Sequence, residues 1–483
     1  MTRGWWLFTS QVTNHQSVTS QLPKPKSEFR QLVAIAVPVV IVQVGLMFMG
    51  VVDTLVVGHL SAGALAAVAL GNLYVFNVVV VAMGTLMALD PIVAQAVGAR
   101  DDIAVTRAIQ RGVVLAVALS VPTMLVLLPA GPLLTLFRQP PLVIPDAAAF
   151  VQISALGMLP FLLFVVMRQC LQAIGRLAPI VWTILAANVL NGALNWVLVY
   201  GHFGVPPLGV RGSATATVVS RWAMALGLLA LSWRALRQHL IHIDRTSLEL
   251  APLWRMTAIG LPIGLQQFLE VSAFAAVGLL MGTFGTEQVA SHQIALNMAA
   301  LTFMVPLGVS AAAAVRVGHA IGAGDVPRSR QAARLSYFLG VGFMCATAVL
   351  FLTLNEELAR LYTHDQGIIA IAALLIPVAG VFQVFDGLQA VGAGVLRGLG
   401  DTRVPLVAML AGYWLIGLPV SVLLGFYTAL GPVGMWWGFV AGLASVALFL
   451  LVRVRLMFRR GVARINIEST ARPLSAELLS PPR

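Results

Sequence analysis

The chain reads as an all-α membrane protein: twelve transmembrane helices in two six-helix lobes, related by a parallel internal repeat, around a central cleft. Composition, the length of the apolar runs and self-similarity between the halves predict this. Of 483 residues, 59% are hydrophobic and 10% charged, with mean hydropathy +0.91. A soluble globular chain carries about 25% charged residues. The apolar residues fall in runs of roughly 20–28, each long enough to cross about 30 Å of hydrocarbon as a helix.

The runs place spans at 31–55, 66–90, 108–130, 147–170, 178–200, 211–233, 256–282, 289–315, 331–353, 368–395, 404–427 and 433–456. Residues 1–30 and 459–483 read as cytoplasmic tails, 31–233 as the N-terminal lobe and 256–458 as the C-terminal lobe. The charged stretch 234–255 reads as a cytoplasmic linker, with a basic helix on the membrane surface as the alternative. "GWWLF" at 4–8 is too short for the apolar core of a secretory signal. Cys170 and Cys345 stand alone in apolar runs, giving neither metal spacing nor a disulfide framework.

The formal charge of +12 is not a nucleic-acid signature, because of where it falls. With the N-terminus inside, 26 of the 30 basic residues lie in cytoplasmic tails, loops and helix ends. Arg138, Arg211 and Arg360 lie outside, and Arg221 falls within a span. That asymmetry is the positive-inside pattern, so both termini are expected in the cytoplasm.

The second half repeats the first at an offset of 224: Pro38/Pro262, Gly58/Gly282, Gly84/Gly308, Ala96/Ala320, Gly98/Gly322 and Asp101/Asp325. Gly175/Gly400 and Pro179/Pro405 continue it within two residues. Six spans per half is an even number, so the halves share one orientation and an axis along the membrane normal, a common transporter plan.

Inside the spans, polar residues recur at helical spacing. Gln266, Gln267 and Glu270 form one group, Gln383, Asp386 and Gln389 a second, and Asn188, Asn191 and Asn195 a third, while Asp53 stands in "GVVDTLVVG". Lipid satisfies none of them, so they face one another or a cavity. Amides in such places serve as interhelical hydrogen bonds, each worth about 1 kcal/mol. An amide would make those bonds without the cost of ionisation, so Asp53, Glu270 and Asp386 read instead as functional acids. Asp90, near a helix end, suits an interfacial or capping role. Arg221 is expected to pair with an acid or to face an aqueous mouth. "GLGD" at 398–401 lacks the partner motif of an intramembrane protease, and no Walker A loop, DDxxD pair or GxSG serine is present. The reading is therefore a transporter and not an enzyme or an ATP-driven pump.

"AVPVVIVQVGLMFMGVVDTLVVGHLS", "MALDPIVAQAVGA", "NGALNWVLVYGHFG", "ASHQIALN", "AVRVGHAIGAGD" and "AGVLRGLGDTRVP" together resemble the multidrug and toxic compound extrusion (MATE) family, and Glu270 and Asp386 its bacterial NorM-type branch. The resemblance runs from about residue 31 to 458 in matching order. It implies a multi-pass protein of the bacterial inner membrane that exports small organic cations in exchange for Na⁺ or H⁺, with no other cofactor, acting as a monomer in the bilayer. It further implies that Glu270 and Asp386 form the cation site of the C-terminal lobe, with Na⁺ as one candidate ion. Asp53, with Asn191 and Asn195, would form a protonatable site in the N-terminal lobe. Asn188, Gln266, Gln383 and Gln389 are expected as supporting polar groups. The chain departs from the family pattern twice: Phe382 stands where relatives often carry a tyrosine, and Asp90 where no acid is expected. A flippase for lipid-linked oligosaccharide from the same superfamily is the alternative, but it would need positive charge in its cavity, where acids dominate here. An ion channel or a membrane enzyme is the alternative from another class.

Overall fold

Prolines and glycines decide where the apolar runs bend in the computed structural model, which describes residues 27–241 and 244–468. The expected tails therefore lie outside the described residues over 1–26 and 469–483. The first half comprises α1 (Glu28–Gly58), α2 (Ala62–Leu86), α3 (Leu89–Gly98), α4 (Asp102–Leu127), α5 (Ala130–Leu136), α6 (Ile144–Ala155), α7 (Met158–Ile174), α8 (Ala178–Tyr200) and α9 (Val210–Leu240). The second comprises α10 (Leu250–Met281), α11 (Thr286–Gly322), α12 (Val326–Thr353), α13 (Asn355–Arg360), α14 (Gln366–Gly398), α15 (Arg403–Met409), α16 (Leu418–Phe426) and α17 (Pro432–Arg460). A π-helical turn, Leu410–Gly417, joins α15 to α16. No strand occurs among the described residues.

These elements make twelve crossings, counting α2 with α3, α6 with α7, and α15 through α16 as one each. The crossing built from α6 and α7 is bent by 51°. Its cause is local: Pro160 has no N–H to offer the Leu156 carbonyl, and its ring crowds that carbonyl. The same logic breaks α2 from α3 at Met87, four residues before Pro91. The apolar pattern alone gave a single straight span in each place. The short helices α5 and α13 were not among the expected elements, and they occupy equivalent places in the two halves.

The repeat is visible in three dimensions. Asp101 accepts from Ala104 N at 2.9 Å to cap α4, and Asp325 accepts from Arg328 N at 2.9 Å to cap α12. The turns after α7 and α14 both need a left-handed residue, supplied by Gly175 (φ +83°) and Gly400 (φ +85°). Where the halves meet, repeat-related residues face each other. A side chain at Gly98 would strike the His319 carbonyl, and one at Gly322 would strike the Gln95 carbonyl. Likewise Gly84 lies against Gly264 and Gly308 against Val40. Small residues here let the backbones of α2, α3, α10 and α11 approach closely, the main means of helix association where lipid is the solvent.

These contacts lie toward one end of the bundle, where α1 begins and α17 ends, here called the basal end. Arg316 Nε and Nη2 donate to Glu28 across the halves at 2.7 and 2.8 Å, His319 Nε2 lies 2.7 Å from the Ala173 carbonyl, and Gln95 Nε2 donates to Gly398 O at 2.9 Å. The stretch between the halves is docked here too. Gln110 on α4 bonds His239 O at 2.8 Å and accepts from Asp244 N at 3.0 Å, and Arg107 pairs with Asp244 at 2.9 Å. The Thr246 hydroxyl and amide, then Arg107, hold the Asp244 carboxyl down at about 2. Around the outside, Leu125, Leu231, Phe338, Leu415 and Leu448 remain exposed, as a lipid-facing surface requires.

Candidate functional site

Two carboxylate sites lie inside the bundle, one in each half. In the first, α1 carries Asp53, which is 1% exposed. Asn195 Nδ2 donates to Asp53 Oδ1 at 2.8 Å, Asn191 Nδ2 donates to the same oxygen at 3.3 Å, and Thr217 Oγ1 donates to Oδ2 at 2.7 Å. Asn191 and Asn195 are one turn apart on α8, so both amides reach the same carboxylate. Asn188 lies on the same face of α8 but two turns away from Asn195. It bonds Gly45 O at 3.0 Å and Ile184 O at 2.9 Å instead, tying α8 to α1 below the acid.

Thr217 on α9 is a functional candidate that the sequence reading missed, because a threonine in "SATATVVS" carries no sign of which acid it will meet. One turn further along α9 stands Arg221, whose guanidinium lies 5.0 Å from the centre of the Phe161 ring. It stacks on an aromatic face there, with no direct ion pair to Asp53 but with its charge close enough to act on that carboxylate.

In the second half, α10 carries Glu270 and α14 carries Asp386 and Gln389. Gln389 Nε2 donates to Glu270 Oε1 at 3.3 Å, and the Tyr413 hydroxyl lies 3.3 Å from the same oxygen and 3.1 Å from Gln389 Oε1. Asp386 is 5% exposed, and its Oδ1 has no hydrogen-bond partner. Gln383 points away from this group: its Oε1 accepts from Thr347 Oγ1 on α12 at 2.6 Å. A spacing of three residues turns each successive side chain by about 60° around the helix, so Gln383 and Gln389 diverge. Gln266, one turn basal of Glu270, lines a separate cavity of about 30 Å³ with Gln267, Arg397 and Asp401.

Tyr413 was also missed, since it sits in an uninterrupted apolar run. The run nevertheless contains Pro419, which cannot donate four residues back to Leu415, and the π-helical turn just before it carries Tyr413. Such widened turns are frequent at functional sites. Phe382, the departure noted above, packs in an aromatic cluster with Phe274, Trp436 and Phe439, at centroid separations of 5.9, 6.0 and 6.2 Å. The phenolic oxygen at Glu270 thus comes from a different helix. No group of three His, Cys, Asp or Glu suited to a metal occurs among the described residues. The oxygens that meet at Glu270 belong to its carboxylate, an amide and a phenol, with the Asp386 carboxylate close enough to feel its charge, a hard donor set suited to a proton or an alkali cation.

Asp90 is fully buried in the first turn of α3 and meets Arg397 Nη1 of α14 at 3.5 Å, so it joins the two halves and does not cap a helix. Arg397 Nη2 also reaches Ser310 Oγ at 3.5 Å.

The family model MatE matches residues 38–197 and 262–423, two stretches whose starts stand at the offset of the internal repeat. The chain belongs to the MatE family. Among its relatives are the multidrug resistance protein NorM of Burkholderia vietnamiensis, 37% identical over 92% of this chain and 98% of that protein, and the multidrug resistance protein MdtK of Pectobacterium atrosepticum, 36% identical over 91% and 98%. The crystal structure of the eukaryotic MATE transporter AtDTX14 superposes with a TM-score of 0.82 at 23% identity, over 90% of this chain and 97% of that one. A MATE transporter solved in an outward-facing conformation gives 0.81 at 20% identity, over 92% and 97%. This MatE chain is thus a multi-pass membrane transporter and not an enzyme; Asp53, Asn191 and Asn195 sit within the first matched stretch and Glu270, Asp386, Gln389 and Tyr413 within the second, while Thr217 lies between the two.

Proposed function

We propose that this MatE transporter exports organic cations from a bacterial cell in exchange for Na⁺ or H⁺ by alternating access. In this reading the basal end faces the cytoplasm of the inner membrane. Residues 31–233 and 256–458 then act as the two moving lobes, joined by a cytoplasmic linker over 234–255. The basic residues gathered at the basal helix ends support that orientation. The names of the curated relatives, multidrug resistance proteins, support drugs as substrates.

The observation that carries the reading is the pair Glu270 and Asp386. Two neighbouring acids, Asp386 buried with an unpartnered oxygen and Glu270 half-buried and held only by contacts of 3.3 Å, are poorly satisfied by protein alone. A cation entering between them recovers the missing interactions, and a proton removes the charge that makes the site attractive. One site cannot serve both ligands at once. That exclusion, with alternation between two lobe arrangements, couples efflux to an ion gradient; each charge crossing contributes about 2.3 kcal/mol per 100 mV. Asp53, already supplied with three donors, is the partner acid of the N-terminal lobe. The polar contacts and close glycine approaches between the halves lie basally, which supports a state open toward the opposite end.

The test is efflux of a fluorescent organic cation from proteoliposomes under separately imposed Na⁺ and pH gradients. Uphill movement driven by one of them is expected. Downhill leakage that ignores both gradients contradicts antiport.

A further inference from the structure

After α17 ends at Arg460, the chain turns back and lies on the other half of the molecule. Arg464 Nη2 pairs with Asp101 Oδ2 at the start of α4 at 2.9 Å. The amide of Ile465 donates to Gln95 Oε1 on α3 at 2.7 Å, while the other end of that Gln95 amide holds Gly398 O of the C-terminal half. Glu468 grips Arg111 of α4 with both oxygens, at 2.6 and 3.3 Å, and lies 3.8 Å from Arg107. Ile467 is 8% exposed, and its carbonyl accepts from Arg255 Nη1 of α10 at 2.8 Å. An eight-residue segment thus bridges both halves and the stretch that joins them, all at the basal end.

The pairing of Arg111 distinguishes this from casual surface contact. Its side chain is 0% exposed, and apart from the Thr246 carbonyl at 3.1 Å, the strap's carboxylate is the partner of its guanidinium. Stripping the partner from a buried guanidinium is costly unless water replaces it. Residues 461–468 are covalently part of the C-terminal half, yet Arg464, the Ile465 amide and Glu468 bond the N-terminal one. Separating the halves basally therefore either breaks these bonds or drags the strap along.

We propose that residues 461–468 are a latch: they hold the basal end shut and must leave the N-terminal half before it opens. The proposal rests on the alternating-access reading above, and it adds a rate- and population-controlling element outside the ion and substrate sites.

The test uses the full chain lacking Cys170 and Cys345, with cysteines at Asp101 and Arg464 joined by a short reducible bis-maleimide. Asp101 and Arg464 are partly exposed, so the replacements open no cavity; they do remove the α4 cap and one strap contact, so the uncross-linked double-cysteine protein is the reference. Cross-linking is expected to reduce efflux by about tenfold or more, a shift of at least 1.4 kcal/mol against opening. Cleaving the linker should restore efflux in the same vesicles, which separates arrest from misfolding. A cross-linked protein that pumps at the uncross-linked rate overturns the latch. Vesicles of the unsubstituted chain that fail to pump under any gradient instead contradict the antiport reading. In that event, spin labels at Ile103 and Arg334, basal positions on opposite halves, decide the latch alone. Glu468→Gln is expected to raise the population with the longer separation by about threefold or more, and an unchanged distance distribution overturns the proposal.

Discussion

The two halves bury acids in opposite ways. Asp53 has both oxygens engaged by short bonds from Asn195 and Thr217 and a longer one from Asn191. Glu270 has only contacts at 3.3 Å, and Asp386 leaves one oxygen with no partner. A buried carboxylate with full complement is pre-organised to stay in place, whereas under-satisfied acids favour whatever supplies the missing charge or proton. Repeat symmetry therefore extends to part of the scaffold but not to the chemistry: the Asp101/Asp325 caps and the Gly84/Gly308 and Gly98/Gly322 contacts recur at one offset. The breaks at α2–α3 and α6–α7 have no counterpart in the continuous α11 and α14, and the acid sites do not repeat.

The largest effects are expected in the second half. Glu270→Gln and Asp386→Asn should each leave a folded protein, since a neutral amide is cheaper in a bilayer than an ionised acid, but abolish ion-driven efflux in proteoliposomes. Normal uphill pumping by either variant would break the contrast. Next comes Asp53→Asn, which keeps the shape yet removes the charge that three donors converge on. Efflux should drop on the order of tenfold or more, in line with about 1.5–3 kcal/mol for hydrogen bonds to a charged group, while membrane expression survives.

Tyr413→Phe deletes one hydroxyl and nothing else. A cation affinity weaker by roughly twofold to tenfold is expected, matching about 0.5–1.5 kcal/mol for one hydrogen bond; an isotherm identical to the parent would exclude Tyr413 from the site. The smallest effect belongs to Asn188→Ala. Its two bonds are to backbone carbonyls away from Asp53, so thermal stability should decline by about 1 kcal/mol with ion dependence unchanged. A shifted ion dependence would make Asn188 part of the N-terminal site.

How much of this was legible in the sequence follows from what each signal measures. Hydropathy finds crossings because lipid forces every backbone group into a helix, so all twelve spans were visible, and the repeat came from glycines, prolines and caps whose roles are local. Helical spacing correctly grouped Asn191 with Asn195. It misgrouped Gln383 with Gln389 because rotation along α14 sends them to different neighbours, and Gln266 because one helical turn moves it from the acid pair to another cavity. Tyr413 comes from a run with no polar pattern of its own, and the Ser213, Thr217 and Ser220 spacing on α9 does not say which acid it meets; only tertiary packing brings Thr217 and Tyr413 to an acid. Asp90 looked interfacial because it lies near a helix end; its partnership with Arg397 is a long-range contact that spacing does not encode.

The central claim is that Glu270 and Asp386 serve one cation, and a double-mutant cycle on cation binding tests it most directly. Purified wild type, Glu270→Gln, Asp386→Asn and the double variant would be titrated with Na⁺ and with an organic cation by calorimetry. A shared site predicts strong non-additivity, a coupling of about 0.5–3 kcal/mol, because losing either acid already destroys it. Additive losses, or a Glu270→Gln protein that binds as the wild type does, would contradict the claim.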